Sequence, residues 1–185
     1  MIKKLLFLLL LLANFTCFIN AQSNEPDFVG EVNLLNGDNM TALEKEYAKI
    51  KTKAGASMYL VGIGSIKTKI NVKGSTSKVR VKQGDDFKLI IKAVDNVSDP
   101  MSIINIFQFD VTSSARKAEL SSLATFGGHN DNKLKLVEYT AKKYGESSYL
   151  ITLKDAPSGE FGITVKNPNN KDEKNIVVAC FGIDK

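Results

Sequence analysis

Apolar and polar side chains alternate with a period of two along most of the chain after residue 28. Ile66, Thr68, Ile70 and Val72 alternate with Lys67, Lys69, Asn71 and Lys73, the pattern of a strand with one dry and one wet face. Val79 and Val81 alternate with Lys78, Arg80 and Lys82, the chain turns at Gln83-Gly84-Asp85-Asp86, and Phe87, Leu89 and Ile91 share one face of the returning strand. Residues 29–35 and the segment from Met40 flank Asn36-Gly37-Asp38-Asn39, whose Asn-Gly pair predicts a tight hairpin. Further strands are predicted over residues 103–111, 134–140, 149–153, 161–165 and 176–181. Short strands punctuated by Gly, Asn and Asp predict an all-β fold, an antiparallel two-sheet sandwich preceded by an N-terminal β-hairpin.

Two stretches resist this pattern. Thr41-Ala42-Leu43-Glu44 has the form of a helix capping box, with Leu43, Tyr47 and Ile50 at helical spacing. A helix would set Lys45 against Lys49, whereas residues 49–53 alternate as a strand does, so strand is favoured. Residues 113–132 are weakly patterned and predict a long connection with one short strand near Ala118.

The first 21 residues differ in kind. Lys3 and Lys4 precede an apolar run from Leu5 to Ala13, and Ile19-Asn20-Ala21 offers a small residue for cleavage before Gln22. The run is too short for a spanning helix, so a cleaved export signal is expected, and with it a periplasmic or extracellular protein without a transmembrane helix. Lipidation at Cys17 is disfavoured by Phe15, because such sites normally take small side chains. The remaining residues, 22–185, suit one domain: residues 22–60 as a hairpin extension and 61–185 as the sandwich core. Cys180 is then the one thiol left, so no internal disulfide forms, and its apolar neighbours suggest a buried small hydrophobe.

Several short sequences occur in a telling order: Ser77-Lys78-Val79-Arg80, Asp95-Asn96 with Asp99-Pro100, Lys143-Tyr144-Gly145, Ser148-Tyr149, Gly159-Glu160-Phe161 and Phe181-Gly182-Ile183-Asp184. Together, from about Leu43 to Asp184, they resemble a family of exported bacterial β-rich proteins with no assigned function. The resemblance implies a bacterial secreted domain and no particular chemistry. Residues 149–165 also resemble the corner between two late strands of immunoglobulin-like sandwiches. A tyrosine often stands there where this chain has Phe161, so any such corner is held by packing rather than by a hydroxyl.

The search for chemistry leaves little. His129 is the single histidine, and Phe126-Gly127-Gly128-His129-Asn130-Asp131 reads first as a mobile turn. With one mature cysteine and no spaced cluster, no metal centre is expected; Asp95, Asp99 and Asp131 are ordinary turn residues before they are calcium ligands. Gly62-Ile63-Gly64 lacks the third glycine and the helix of a dinucleotide loop. The chain has no tryptophan, and its five tyrosines mostly fall in patterned strands where core duty is expected, Tyr144 beside Gly145 being the one to watch for sugar binding. No enzyme, no cofactor and no catalytic residue is expected.

Charge is distributed unevenly. Residues 22–46 hold six acids and one lysine, and residues 47–84 hold nine cations and no acid. Loss of Lys3 and Lys4 with the leader lowers the formal charge from +5 to +3. Alternation puts Lys67, Lys69 and Lys73 on one strand face, and Lys78, Arg80 and Lys82 on another. Either these rows form a basic sheet face for an anionic ligand, or they are solvated residues that protect edge strands while the acidic segment neutralises them. Lysine outnumbers arginine heavily, which favours the second. The expected function is therefore that of an exported, non-enzymatic β-domain acting through a surface in envelope structure, assembly or adhesion, with a protein or glycan partner, as a monomer or weak homo-oligomer. The alternative is a binding module for an acidic glycan or phosphorylated lipid through Lys67, Lys69, Lys73, Lys78, Arg80 and Lys82. Specific nucleic-acid binding is not expected.

Overall fold

The computed structural model describes residues 24–55, 64–124, 128–131, 133–169 and 175–185. The leader, Cys17, Tyr59 and Gly62-Ile63 lie outside the described residues. Among the described residues the chain is all-β apart from one helical turn, and no helix is long and apolar enough to cross a membrane. The strands are β1 (Val32–Asn36), β2 (Asn39–Ala42), β3 (Glu44–Ala54), β4 (Ser65–Lys73), β5 (Arg80–Lys82), β6 (Phe87–Lys92), β7 (Ile104–Gln108) and β8 (Asp110–Val111). They continue with β9 (Ala115–Ala124), β10 (Gly128–Asp131), β11 (Lys135–Leu136), β12 (Tyr139–Tyr144), β13 (Ser148–Leu153), β14 (Gly159–Val165) and β15 (Asn175–Asp184). The helical turn α1 (Pro100–Ile103) begins with Pro100 and is capped by Asp99, whose carboxylate accepts from the Met101 amide.

Two sheets carry these strands. The smaller runs β12-β13-β6-β1-β2, and the larger runs β10-β9-β4-β3-β15-β14-β7-β11, with β5 beside β15 and β8 beside β9. All pairings are antiparallel except β5 with β15. Stripped of the added strands, β12-β13-β6-β1 faces β7-β14-β15 as an antiparallel two-sheet sandwich. Everything beyond β15 is added. The segments after β1 and after β7 supply β3, β4, β9 and β10, which lengthen the larger sheet into a curled wing.

The predicted hairpin is present, with Gly37 at a φ of +58° in its two-residue turn. It is built into the sandwich: β1 pairs with β6, and β3 lies between β4 and β15 in the larger sheet. Residues 41–42 and 44–53 are strand, with Leu43 between β2 and β3. The side chain of Leu43 is buried in the main core at the step between the two sheets.

At β7, β14 and β15 the larger sheet packs on both faces. On one side Ile104, Ile106, Phe161, Ile163 and Phe181 meet Val32, Leu34, Leu89, Ile91 and Ile151 of the smaller sheet. Phe161 and Phe181 stack with ring centroids 5.2 Å apart, so packing alone occupies this corner. On the other side the curl of the wing encloses a second core of Ala48, Ile70, Val72, Phe107, Phe109, Ala118, Val178 and Cys180. Successive residues of β15 therefore both face oil: Ala179, Phe181 and Ile183 the first core, Val178 and Cys180 the second. This is the reason residues 176–181 read as one unbroken apolar run. Gly162 makes room for the second core, since a Cβ there would stand within 2.8 Å of the rings of Phe107 and Phe109.

Three sequence expectations need correction. Residues 103–111 form a helical turn and two strands rather than one strand, because the Asp99-Pro100 cap starts a turn that runs to Ile103. Residues 134–140 divide, β11 joining the larger sheet and β12 the smaller. Residues 113–132, expected as a connection, hold the ten-residue β9 and the strand β10. Their pattern was obscured because the inward positions of β9 are Arg116 and Ala118 rather than large apolar residues, and because a bulge opposite Thr68 and Lys69 breaks the period. His129 consequently lies in a strand, opposite Leu123, and not in a turn.

Arg116 is 1% exposed and closes the mouth of the second core. Its guanidinium donates to the carbonyls of Gly74 and Lys73 at 3.3 Å and to the Ser77 hydroxyl. Ser77 in turn donates its amide and its hydroxyl, both at 2.7 Å, to the buried carboxylate of Glu160. The other Glu160 oxygen accepts from Arg80, whose guanidinium also forks onto Asp184. Gly182 has no side chain where the Arg80 guanidinium lies. The network joins β9 and the β4–β5 link to β14 and β15. Replacing Arg116 by Ala leaves Glu160 with less compensating charge, and a loss of about 3–5 kcal/mol is expected in urea unfolding. A loss below about 1 kcal/mol would mean that apolar contact alone holds the wing.

At the opposite end Glu25 straps the N-terminal segment to the β12–β13 turn. Its carboxylate accepts from the Ser147 amide at 2.9 Å and the Glu146 amide at 3.1 Å, and pairs with Lys92 at 3.2 Å. Burial alone would raise its pKa, but these donors outweigh burial and hold it at about 2, against an ordinary 4.5. The stabilisation by ionised Glu25 is thus full above about pH 4.5 and is lost as pH falls towards 2. Melting curves at pH 7 and pH 3 should show that Glu25→Gln lowers Tm at pH 7 and narrows the difference between the two.

Candidate anion-binding face

The outer face of the wing collects charge that neither strand alone would concentrate. In β3, Lys49, Lys51 and Lys53 point away from the second core, because Ala48 between the strand's alternating positions points into it. In β4, Lys67 and Lys69 point the same way, since Ile70 and Val72 point in. Antiparallel register sets Lys51 directly opposite Lys69 and Lys53 directly opposite Lys67. On the far side of β4, Lys117 of β9 stands opposite Asn71, and Glu119 opposite Lys69. Lys51, Lys53, Lys67, Lys69 and Lys117 border a shallow depression of about 570 Å³ floored in part by Ala54 and Ala115.

Asp110 of β8 stands opposite Lys117 on this face and pairs with Lys135, and the acid between Lys67 and Lys69 is Glu119. It lies 3.2 Å from the Lys67 ammonium and 3.7 Å from that of Lys69. Among the described residues no carboxylate pairs with Lys49, Lys51, Lys53 or Lys117. Four of the six acids of residues 22–46 are engaged elsewhere: Glu25 with Lys92, Glu31 with Lys45, Glu44 with Lys78 and Glu46 with Arg116. Among the described residues, neutralisation by this segment therefore reaches Lys45 and Lys78 and does not reach Lys49, Lys51 or Lys53.

The structure divides the six residues singled out by sequence. Lys67 and Lys69 sit at the centre of the face, and Lys73 ends the same strand opposite Ala115. Lys78, Arg80 and Lys82 lie elsewhere, because β4 and β5 are not neighbours. Lys49 stands opposite Asn175 of β15 and Lys82 beside Asp184, nine residues further along that strand, roughly 30 Å away. Arg80 is committed to Glu160 and Asp184. Sequence reasoning missed Lys117 as a member of the face and Lys51 and Lys53 as its closest cross-strand partners. Alternation over residues 49–53 carried the second signal; nothing local identified the first.

Edge protection accounts for part of this arrangement. β4 lies between β3 and β9, so Lys67 and Lys69 are interior, whereas the described pairing of β15 with β3 covers Glu44–Lys49 and stops short of Lys51 and Lys53. Like charges directly opposite on adjacent strands oppose pairing by about 0.2–1 kcal/mol per pair, and here two such pairs stand side by side.

The remaining candidates resolve into structural roles. Cys180 is fully buried in the second core, and burial pushes its thiol up to about 12, which leaves it protonated at neutral pH. Asp95 accepts from the amides of Val97 and Ser98 at 3.0 Å and Asp99 caps α1, both turn duties. Among the described residues no three His, Cys, Asp or Glu side chains are placed to hold a metal ion. Tyr139 donates its hydroxyl to the carbonyls of Pro100 and Ile104, and Tyr149 donates to that of Ser98. Tyr47 departs from its expected core role and is 82% exposed on the outer face of β3, whereas Tyr144 is half-buried.

The chain matches no family model, no curated protein and no solved structure. The site's own electrostatics yield a direct test. Glu119→Gln removes the counter-charge between Lys67 and Lys69, and a loss of about 1 kcal/mol in thermal or urea unfolding is expected at low salt. Most of that loss should be recovered at 0.5 M NaCl, roughly where the screening length falls to a few ångströms.

Proposed function

We propose that this protein is an exported, non-enzymatic β-domain that works by holding a polyanion on the lysine face of β3, β4 and β9. One observation carries the reading: Lys51 opposes Lys69 and Lys53 opposes Lys67 across paired strands, with Lys117 of β9 alongside. Facing positions that repel one another weaken the sheet, and departures from local consistency of this kind gather where a surface serves a ligand. A multiply charged anion lying across the depression converts each repelling pair into a shared site. The export-type leader sets this contact outside the cytoplasm, in the envelope or beyond it.

Contacts of this kind are long-ranged and exposed, so they weaken as salt rises. Isothermal titration of the protein with dextran sulfate at 50 mM and 300 mM NaCl is expected to show a steep loss of affinity. The Lys51→Glu, Lys69→Glu double variant should bind at least about tenfold more weakly, whereas Lys82→Glu, at the far end of β15, should match the unaltered protein. Salt-insensitive binding, or equal binding by the double variant, would remove the proposal.

A further inference from the structure

The lysine face does not end in charge. Two residues before Lys49 on the same face of β3 stands Tyr47, 82% exposed. Its cross-strand neighbour on β15 is Val177, itself 41% exposed, so ring and isopropyl group form an apolar step flush with the lysine rows. Among the described residues the Tyr47 hydroxyl has no hydrogen-bond partner, unlike those of Tyr139 and Tyr149. A tyrosine near the middle of an eleven-residue strand, with Val177 alone as its cross-strand partner and no hydrogen bond among the described residues, is placed for something outside the chain.

We infer that the polyanion is an acidic polysaccharide, with Tyr47 as the platform for a sugar ring and the lysines of β3 and β4 pairing with its carboxylate or sulfate groups. This inference rests on the proposed function and names its ligand class. Three features separate a glycan from other polyanions. The chain has two arginines, Arg80 and Arg116, and both belong to the buried Glu160 network, so the face offers ammonium point charges and no planar fork for phosphate. The platform is a single ring beside charge, whereas proteins that hold single-stranded nucleic acid stack successive bases on several aromatics. The face is also linear: from Tyr47 to Lys53 it runs about 20 Å along one strand, with a lysine roughly every 7 Å, which suits an extended polymer better than a bilayer.

The test compares the unaltered protein, Tyr47→Ala, Tyr47→Phe and the Lys51→Glu, Lys69→Glu double variant. Each is titrated with polygalacturonate, dextran sulfate, neutral dextran, oligo-dT and phosphatidylglycerol vesicles. The expected result is binding of polygalacturonate or dextran sulfate ahead of oligo-dT and vesicles, with neutral dextran inert. Tyr47→Ala should weaken glycan binding about tenfold without changing its salt dependence, and Tyr47→Phe should retain it. Because Tyr47 is exposed, its variants should melt as the unaltered protein does. If Tyr47→Ala binds glycan undiminished, or if oligo-dT or vesicles bind more tightly, the inference is overturned while a charge-reversal effect keeps the proposed function standing. Failure of the double variant to change binding of any probe overturns both.

Discussion

A carboxylate withdrawn from water at the corner of a sandwich must find positive charge, and Glu160 finds it in Arg80 on one side and in Ser77 and Arg116 on the other. That carboxylate ties the wing to the sandwich in addition to the pairing of β3 with β15. Arg116 comes from β9, Ser77 from the link between β4 and β5, and Arg80 from the short strand that lies parallel to β15. Removing one member leaves the others charged and dry, which is why such a network holds so firmly once formed and tolerates so little change. It also uses both arginines of the chain. The cations left at the surface are therefore all lysines, strongly hydrated and flexible, and the character of the exposed face follows from what the interior required.

The second constraint is geometric. A sheet ten strands wide cannot stay flat, and this one curls so that its added strands enclose Phe107, Phe109, Ile70, Val72 and Val178. Enclosure settles which face of β3 and β4 is dry. The opposite face is covered by no layer of the described residues. Charge can collect there, and the repulsion between facing lysines is offset by the core on the other side of the same strands. The Glu119 carboxylate relieves only part of it.

Much of this was legible residue by residue. Lys67 to Lys73 alternated with Ile66 to Val72, and the strand lies where that alternation placed it, with the lysines outward. Asn36-Gly37 made its hairpin. The unbroken run at residues 176–181 marked the last strand, and Val178 to Phe181 within it are buried. Where reading failed, the cause was a buried group of the wrong polarity or a broken period: Arg116 and Ala118 occupy inward positions of β9, and a bulge shifts its phase beside Lys69. Tyr47 was expected inside because tyrosine usually is. A side chain's environment depends on what lies across the sheet, and Tyr47 is exposed among the described residues.

From the sequence alone came the all-β character, the wet and dry faces of most strands, the concentration of nine cations within residues 47–84 and the prospect of export. These are local or additive properties: the period of two is set by backbone geometry, and charge is counted without knowing where it goes. Tertiary structure alone decided which strands became neighbours. It put β4 beside β3 and β9 instead of β5, which broke the six expected cations into a group on the wing and a group near the end of β15, and it brought Lys51, Lys53 and Lys117 to Lys67 and Lys69. Strand adjacency arises from burying two cores at once, and that requirement is met between residues far apart in the chain, so no stretch of sequence states it.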